Sequence, residues 1–245
     1  MADTTGTQYT LTFANNSTND WTACVFQTDP GLQATTNAMS LAWFTKPTAK
    51  TTGTDFTWTI DYSFVWSETG TLIPGVLFKA AQKWPADLQT SNKVNFTRLD
   101  SGAYTFANQT AQAPSGSLII AEDPKKIPVA GASVGIGMSN AGTFAVPSQP
   151  NVTLTFTPTP LYWITFGTFK QGQVLSISEM TAAAAVQFPA AVYAMTAILD
   201  QGNNWTVLPT SQVNSRFIAD TQAALQSGDQ ERVAAVKWGD LDARR

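Results

Sequence analysis

The chain has no histidine among its 245 residues. A Ser-His-Asp or Cys-His nucleophilic site therefore cannot be built, and zinc or non-haem iron centres that use imidazole ligands are excluded with it. The usual proton shuttle of neutral pH is missing as well. A single cysteine, Cys24, rules out an intramolecular disulfide. Charge is scarce too: Asp, Glu, Lys and Arg make up 13% of the chain, about half the usual share. With 14 basic against 17 acidic residues and a net charge of −3, there is no basic face dense enough to hold a phosphate backbone. The nearest basic cluster, Lys125-Lys126, directly follows Glu122-Asp123. No apolar run reaches the length of a membrane span. Residues 1–7 show neither the basic nor the apolar region of a signal peptide. These features lead to the expectation of a cytoplasmic protein, with non-classical export left open.

What is present is a β pattern. Hydrophobic residues are 43% and aromatics 11%, enough for a globular core, while much of the polarity comes from Thr, which suits an exposed sheet face. The clearest stretch is 56–66. Phe56, Trp58, Ile60, Tyr62, Phe64 and Trp66 alternate with Thr57, Thr59, Asp61, Ser63 and Val65. Successive side chains of a strand point to opposite faces, so this pattern predicts one central strand with an aromatic face and a mostly polar one. Similar alternation predicts strands near 8–13, 21–27, 40–45, 76–82, 93–99, 133–138, 152–157 and 173–178, and a hairpin of 190–199 with 205–208. Asp29-Pro30-Gly31 and Trp84-Pro85-Ala86-Asp87 read as turns. Cys24, between Ala23 and Val25, reads as a small strand hydrophobe. Gly135 and Gly137 have no helix after them, so close backbone packing or a bulge accounts for them better than phosphate binding. The segment 180–187 fits either a short helix or a strand.

The expected fold is all-β, an antiparallel β-sandwich of jelly-roll-like character over 1–217, with a helical tail over 218–245. Thr10-Leu11-Thr12-Phe13 and Thr153-Leu154-Thr155-Phe156 repeat one tetrapeptide, which raises an internal duplication with halves near 1–121 and 129–217. In the tail, 219–227 reads as a helix stopped by Gly228, and Asp229 could cap a second helix that presents Val233, Val236 and Trp238 to the body or to a partner. The tail is thus either a homo-oligomer contact or a cover for a sheet edge.

Two functions fit these residues. One is a non-enzymatic binding or self-associating protein, with Trp43, Trp66, Trp84 and Asp87 as ligand-binding candidates for a sugar or a hydrophobic small molecule. The other is a cofactor-independent, metal-free cyclase or isomerase. There, aromatic walls would stabilise cationic character, and a carboxyl raised in pKa by burial would move protons. Asp61, Glu68 and Glu179 are the catalytic candidates, with Asp87 as a further acid. Asp61 matters most, because its position mid-strand would put it either in water or in a cavity. Neither reading calls for a cofactor.

The block Tyr62-Ser63-Phe64-Val65-Trp66-Ser67-Glu68-Thr69-Gly70, then Pro74-Gly75 and Trp84-Pro85-Ala86-Asp87-Leu88, resembles the RhiA-like proteins. So do Asn15-Asn16-Ser17, the segment from Ala23 to Gln27 and that from Ser40 to Phe44. The resemblance covers most of the first hundred residues and loosely the rest. It implies a soluble cytosolic protein, carries no known reaction and assigns no catalytic residue.

Overall fold

The aromatic stretch 56–66 folds as two strands, not one. Thr52–Thr59 (β5) and Tyr62–Ser67 (β6) lie in different sheets, and the chain turns between them at Ile60 and Asp61. The Asp61 carboxylate fastens this corner. Its Oδ1 accepts from Thr59 Oγ1 at 2.8 Å, from the Ser139 N–H at 3.1 Å and from Ser139 Oγ at 3.0 Å. Phe56 and Trp58 therefore enter one core, and Phe64 and Trp66 another. The expected central strand is corrected accordingly: β5 is the edge of its sheet, while β6 lies inside its own with both faces buried. The structure is a computed structural model and describes residues 6–29, 31–32, 36–228 and 230–239.

The strands group into two β-sandwiches that nest along the chain. One is built from both ends. Gln8–Asn15 (β1), β5, Ala194–Leu199 (β16) and Trp205–Pro209 (β17) form a sheet in the order β17-β16-β1-β5. Trp21–Thr28 (β2), Phe44–Thr48 (β4), Leu161–Gly167 (β14) and Ala184–Val186 (β15) form the other, in the order β15-β14-β2-β4. Leu11, Phe13, Val25, Trp43, Phe56, Trp58, Ile164 and Leu199 fill the space between them. We call this the terminal sandwich.

The central sandwich uses the middle of the chain. Met39–Ser40 (β3), β6, Gln82–Ala86 (β7), Ser133–Met138 (β11) and Ala141–Pro147 (β12) run in the order β3-β12-β11-β6-β7. They pack on Lys93–Arg98 (β8), Tyr104–Thr110 (β9), Leu118–Glu122 (β10) and Thr153–Phe156 (β13), in the order β13-β10-β8-β9. Phe64, Trp66, Phe96, Phe106, Ile120, Ile136, Phe144 and Phe156 make this core. Each such side chain taken fully from water contributes about 1.5–3 kcal/mol. The β11–β12 hairpin links the two cores: Met138 and Ala141 at its turn belong to the terminal core, and the Trp43 indole N–H donates to the Met138 carbonyl at 2.8 Å.

This nesting does not coincide with a division near 121–129. The repeated tetrapeptide falls in β1, inside a sheet of the terminal sandwich, and in β13, at an edge of the central one. Among the described residues two pairings are parallel, β1 with β16 and β8 with β10. In both, other strands are laid down between the partners, which gives the chain the long crossover that a parallel pair requires.

Local differences have local causes. Of the expected strand at 76–82 there remain an isolated bridge at Leu77 and Gln82, the first residue of β7, and the expected turn at Trp84 and Pro85 lies in that strand. Pro85 is tolerated because β7 is an edge strand. The expected strand at 173–178 gives way to a short helix, Ile177–Thr181 (α1), opened by a capping box in which Ser176 and Glu179 satisfy each other's backbone N–H. The 180–187 segment is helical at its start and strand at β15. Gly135 and Gly137 do serve close packing: a Cβ on Gly135 would stand 1.9 Å from the Phe144 carbonyl oxygen, and β11 carries a bulge between Ile136 and Gly137. Cys24 is fully buried.

The tail helix begins at Thr210, not Ala219, and runs Thr210–Ser227 (α2) to a left-handed Gly228; Gln230–Ala235 (α3) follows. Val213 and Trp238 pack on Ala14, Ile198 and Leu208. The Trp238 indole donates to Asn214 Oδ1 at 2.8 Å, and Asn16 Nδ2 donates to the Gly239 carbonyl at 3.0 Å. The tail thus covers the outer face of β1 and β16. The Asp229 cap, Pro30 of the expected turn and the Val233 side chain lie outside the described residues. No helix among the described residues is long and apolar enough to cross a membrane.

Candidate functional site

The carboxylates singled out from sequence hold local structure. Asp61 fastens the β5–β6 corner. Glu179 is the acidic half of the α1 capping box, its Oε2 accepting from the Ser176 N–H at 2.6 Å and its Oε1 from Gln173 Nε2 at 3.1 Å. Asp87 closes a turn by accepting from the N–H groups of Gln89 and Thr90 at 2.9 and 2.8 Å. Those donors, the Gln89 N–H first, hold its carboxyl below the usual carboxylate range. Glu68 is exposed just past β6.

The expected tryptophans are core residues to different degrees. Trp43 is fully buried. Trp66 donates its indole N–H to Gln82 Oε1 at 2.8 Å, and the same oxygen accepts the Phe106 N–H at 3.0 Å, so the pair ties β7 to β9. Trp84 is half-buried, with its ring edge-on to Phe106 at 6.0 Å. Trp43 borders a cavity of about 230 Å³ that it shares with Phe78, Lys79 and Lys83. Among the described residues no three Cys, Asp or Glu side chains gather so as to hold a metal ion.

A different set of residues lines an apolar groove. At one end of the terminal sandwich the two sheets part and leave a groove of about 420 Å³. Tyr9 at the start of β1 and Ile60 just past β5 border it on one sheet. Leu161, Tyr162 and Trp163 of β14 and the stretch from Ala185 to Phe188 border it on the other. Register explains the meeting. Gln8 pairs with Thr59, which brings the start of β1 and the end of β5 together, and Tyr162 pairs with Val186. Phe188 sits edge-on to Tyr9, Trp58 and Tyr162, with ring centroids 5.0, 5.6 and 6.1 Å away. Tyr9 stacks on Trp58 at 6.2 Å. These are the offset and edge-to-face geometries that aromatic quadrupoles favour.

The electrostatics of the groove are uniform. Among the described residues no Asp, Glu, Lys or Arg lines it. Burial pushes the Tyr162 hydroxyl up to about 12, although the Trp58 indole N–H pulls the other way, so the phenol keeps its proton at neutral pH. Ile60 and Leu161 at the mouth are each 50% exposed.

Sequence alternation had placed Tyr9 and Trp58 on apolar strand faces, but nothing local joined them to Tyr162 and Phe188. Phe188 lies outside any strand, just before Pro189, and only the pairing of β14 with β15 brings it over Tyr9. Glu122, noted in the sequence only as an acid just before Lys125-Lys126, is a further buried group that no local pattern marks. It ends β10 at 4% exposure, and one oxygen accepts the Gln149 N–H at 2.7 Å while the other has no partner among the described residues. Burial pushes its carboxyl up to about 7.

Residues 6–210, from before β1 to the first residue of α2, match the family model described as RhiA. Over 207 residues the chain is 41% identical to a protein of Rhizobium leguminosarum bv. viciae described as Protein RhiA, covering 83% of this chain and 87% of that one. No solved structure matches the chain at a significant level.

Proposed function

The chain belongs to the RhiA family, and on that footing we propose that it is a non-enzymatic binding protein that takes a neutral, largely apolar small molecule into the groove at the end of the terminal sandwich. The uncharged aromatic lining of that groove carries the reading. Ligand sites are concave, mostly apolar and few per protein, and half-exposed apolar side chains around an opening mark such sites more often than bare surface. A cyclase or isomerase would need an acid against the aromatic wall, and Asp61, Asp87 and Glu179 are engaged in a corner, a turn and a helix cap. Sugar stacking on Trp84 is less favoured, because one side of that ring packs on the central core.

The test is titration with the neutral fluorophore N-phenyl-1-naphthylamine. Saturable binding is expected, weakened at least about tenfold by Ala185→Phe, which fills the groove from an exposed position, with thermal unfolding unchanged. No saturable binding, or equal binding by the variant, would overturn the proposal.

A further inference from the structure

Three hydrogen-bond donors meet beside the groove, and the described residues supply no acceptor in hydrogen-bond geometry for two of them. The Trp58 indole N–H and the Gln27 side-chain N–H₂ are buried and unpartnered, each residue being only 2% exposed. Gln27 lies directly across from Tyr162 in the β2–β14 ladder, so the two side chains leave the sheet on the same face. The Trp58 and Tyr162 rings are 5.3 Å apart. The third donor is the hydroxyl of Tyr162, a residue of the groove lining, and the Trp58 indole N–H lies close enough to that hydroxyl to draw its pKa down.

Buried donors without acceptors are few in folded proteins, and each costs about 1–3 kcal/mol. Trp58 and Gln27 lie against Tyr162, and of the three only Tyr162 is a residue of the groove lining, so its phenol is the donor that can meet an acceptor arriving with a ligand. The class of that acceptor follows from the lining. Among the described residues no cation is present to hold an anion, and no carboxylate is present to receive a ligand's donor.

We infer that the groove selects neutral apolar molecules carrying a carbonyl-type oxygen, which Tyr162 receives through its hydroxyl with Trp58 and Gln27 as donors behind it. This rests on the binding function proposed above. Tyr162 is then the specificity-determining residue. A site built to hydrogen-bond one group rejects the analogue that lacks it, because its own polar groups stay unpaired.

The experiment uses the full chain and two probes of nearly equal shape, 2-acetylnaphthalene and 2-ethylnaphthalene. The ketone is expected to bind about 5–10-fold more tightly, the range of one net hydrogen bond. Its carbonyl stretch should move to lower wavenumber when bound. Tyr162→Phe, which removes one oxygen from the ring, should bring the ketone to the affinity of the hydrocarbon and abolish the shift. Equal affinities in the wild type would overturn this inference while leaving the binding function standing. So would a preference that survives in Tyr162→Phe, or an unshifted carbonyl. Binding of neither probe would overturn both. The wild-type comparison and the vibrational shift need no variant, so a Tyr162→Phe protein that failed to fold would not shield the inference.

Discussion

Trp66 of the central sandwich and Trp58 of the terminal one are buried alike and paired differently. In the central sandwich Trp66 gives its indole N–H to Gln82, whose oxygen also takes a backbone N–H of β9. Phe64, Phe96 and Phe106 close around it. In the terminal sandwich Trp58 is as deeply buried but has no acceptor among the described residues, and the rings around it border an opening. Where such a pair is complete, as at Trp66 and Gln82, it ties strands together and serves the scaffold. A core that leaves donors unpaired beside a cavity is where a ligand can add something the chain lacks. Both sandwiches hold buried polar atoms without partners among the described residues, Ser63, Ser133 and Glu122 in the central one and Trp21, Gln27 and Trp58 in the terminal one; what sets Gln27 and Trp58 apart is their place beside Tyr162 of the groove lining.

That contrast can be broken or sharpened by experiment. The largest effect should come from Phe96→Ala, which empties a fully buried position of the central core. A loss of about 3–5 kcal/mol is expected in urea unfolding, with N-phenyl-1-naphthylamine affinity retained by the folded fraction. A parallel loss of affinity would mean that the scaffold and the groove are one unit.

Next is Glu122, the buried acid of the central sandwich. Its folded pKa is raised to about 7 from an ordinary value of 4.5, so the folded state holds the proton more tightly than the unfolded chain. The resulting stability is whole below pH 4.5 and drains away as pH rises to about 7. The loss should be on the order of 2 kcal/mol by pH 8. Glu122→Gln should flatten this decline between pH 5 and pH 8. An unchanged slope would show that another group carries it. Binding in the groove should not follow this titration, since no described Asp, Glu, Lys or Arg lines it.

Asp61→Ala should cost about 1–2 kcal/mol, because it frees Ser139 and Thr59 at the corner between the sandwiches. Groove binding should persist. A fall in affinity without a fall in stability would assign Asp61 a part in the site. The smallest stability effect belongs to Tyr162→Phe, expected within about 0.5 kcal/mol of wild type although it should abolish ketone selectivity. A large thermal shift in that variant would show that the hydroxyl serves the fold.

Much of the strand content was legible in the chain, and particular residues show where legibility ended. The alternation of 56–66 marked inward and outward positions on both sides of Ile60, yet could not show that the sheet changes there. Period-2 alternation continues across a corner as readily as along a strand, and the carboxylate that fixes the corner takes its partner from Ser139. The same logic misread β7, because Pro85 signals a turn by itself and only its place at a sheet edge makes it compatible with pairing. For the groove, the half contributed by Tyr9 and Ile60 falls within stretches that the alternation marks as strand, whereas Tyr162 and Phe188 are joined to it by register alone.

The sequence by itself determined the class of molecule: an all-β chain without histidine, poor in charge, with aromatic strands and a helical end, closed to the chemistry that needs imidazole. These are consequences of composition and of a period of two, and both are local. Tertiary structure decided that the strands nest into two sandwiches, that Asp61 fastens the corner between them, and that Tyr9, Tyr162 and Phe188 border one opening. Those outcomes depend on which strand lies beside which, and pairing across more than a hundred residues is set by the packing of whole sheets, which no single stretch of sequence contains.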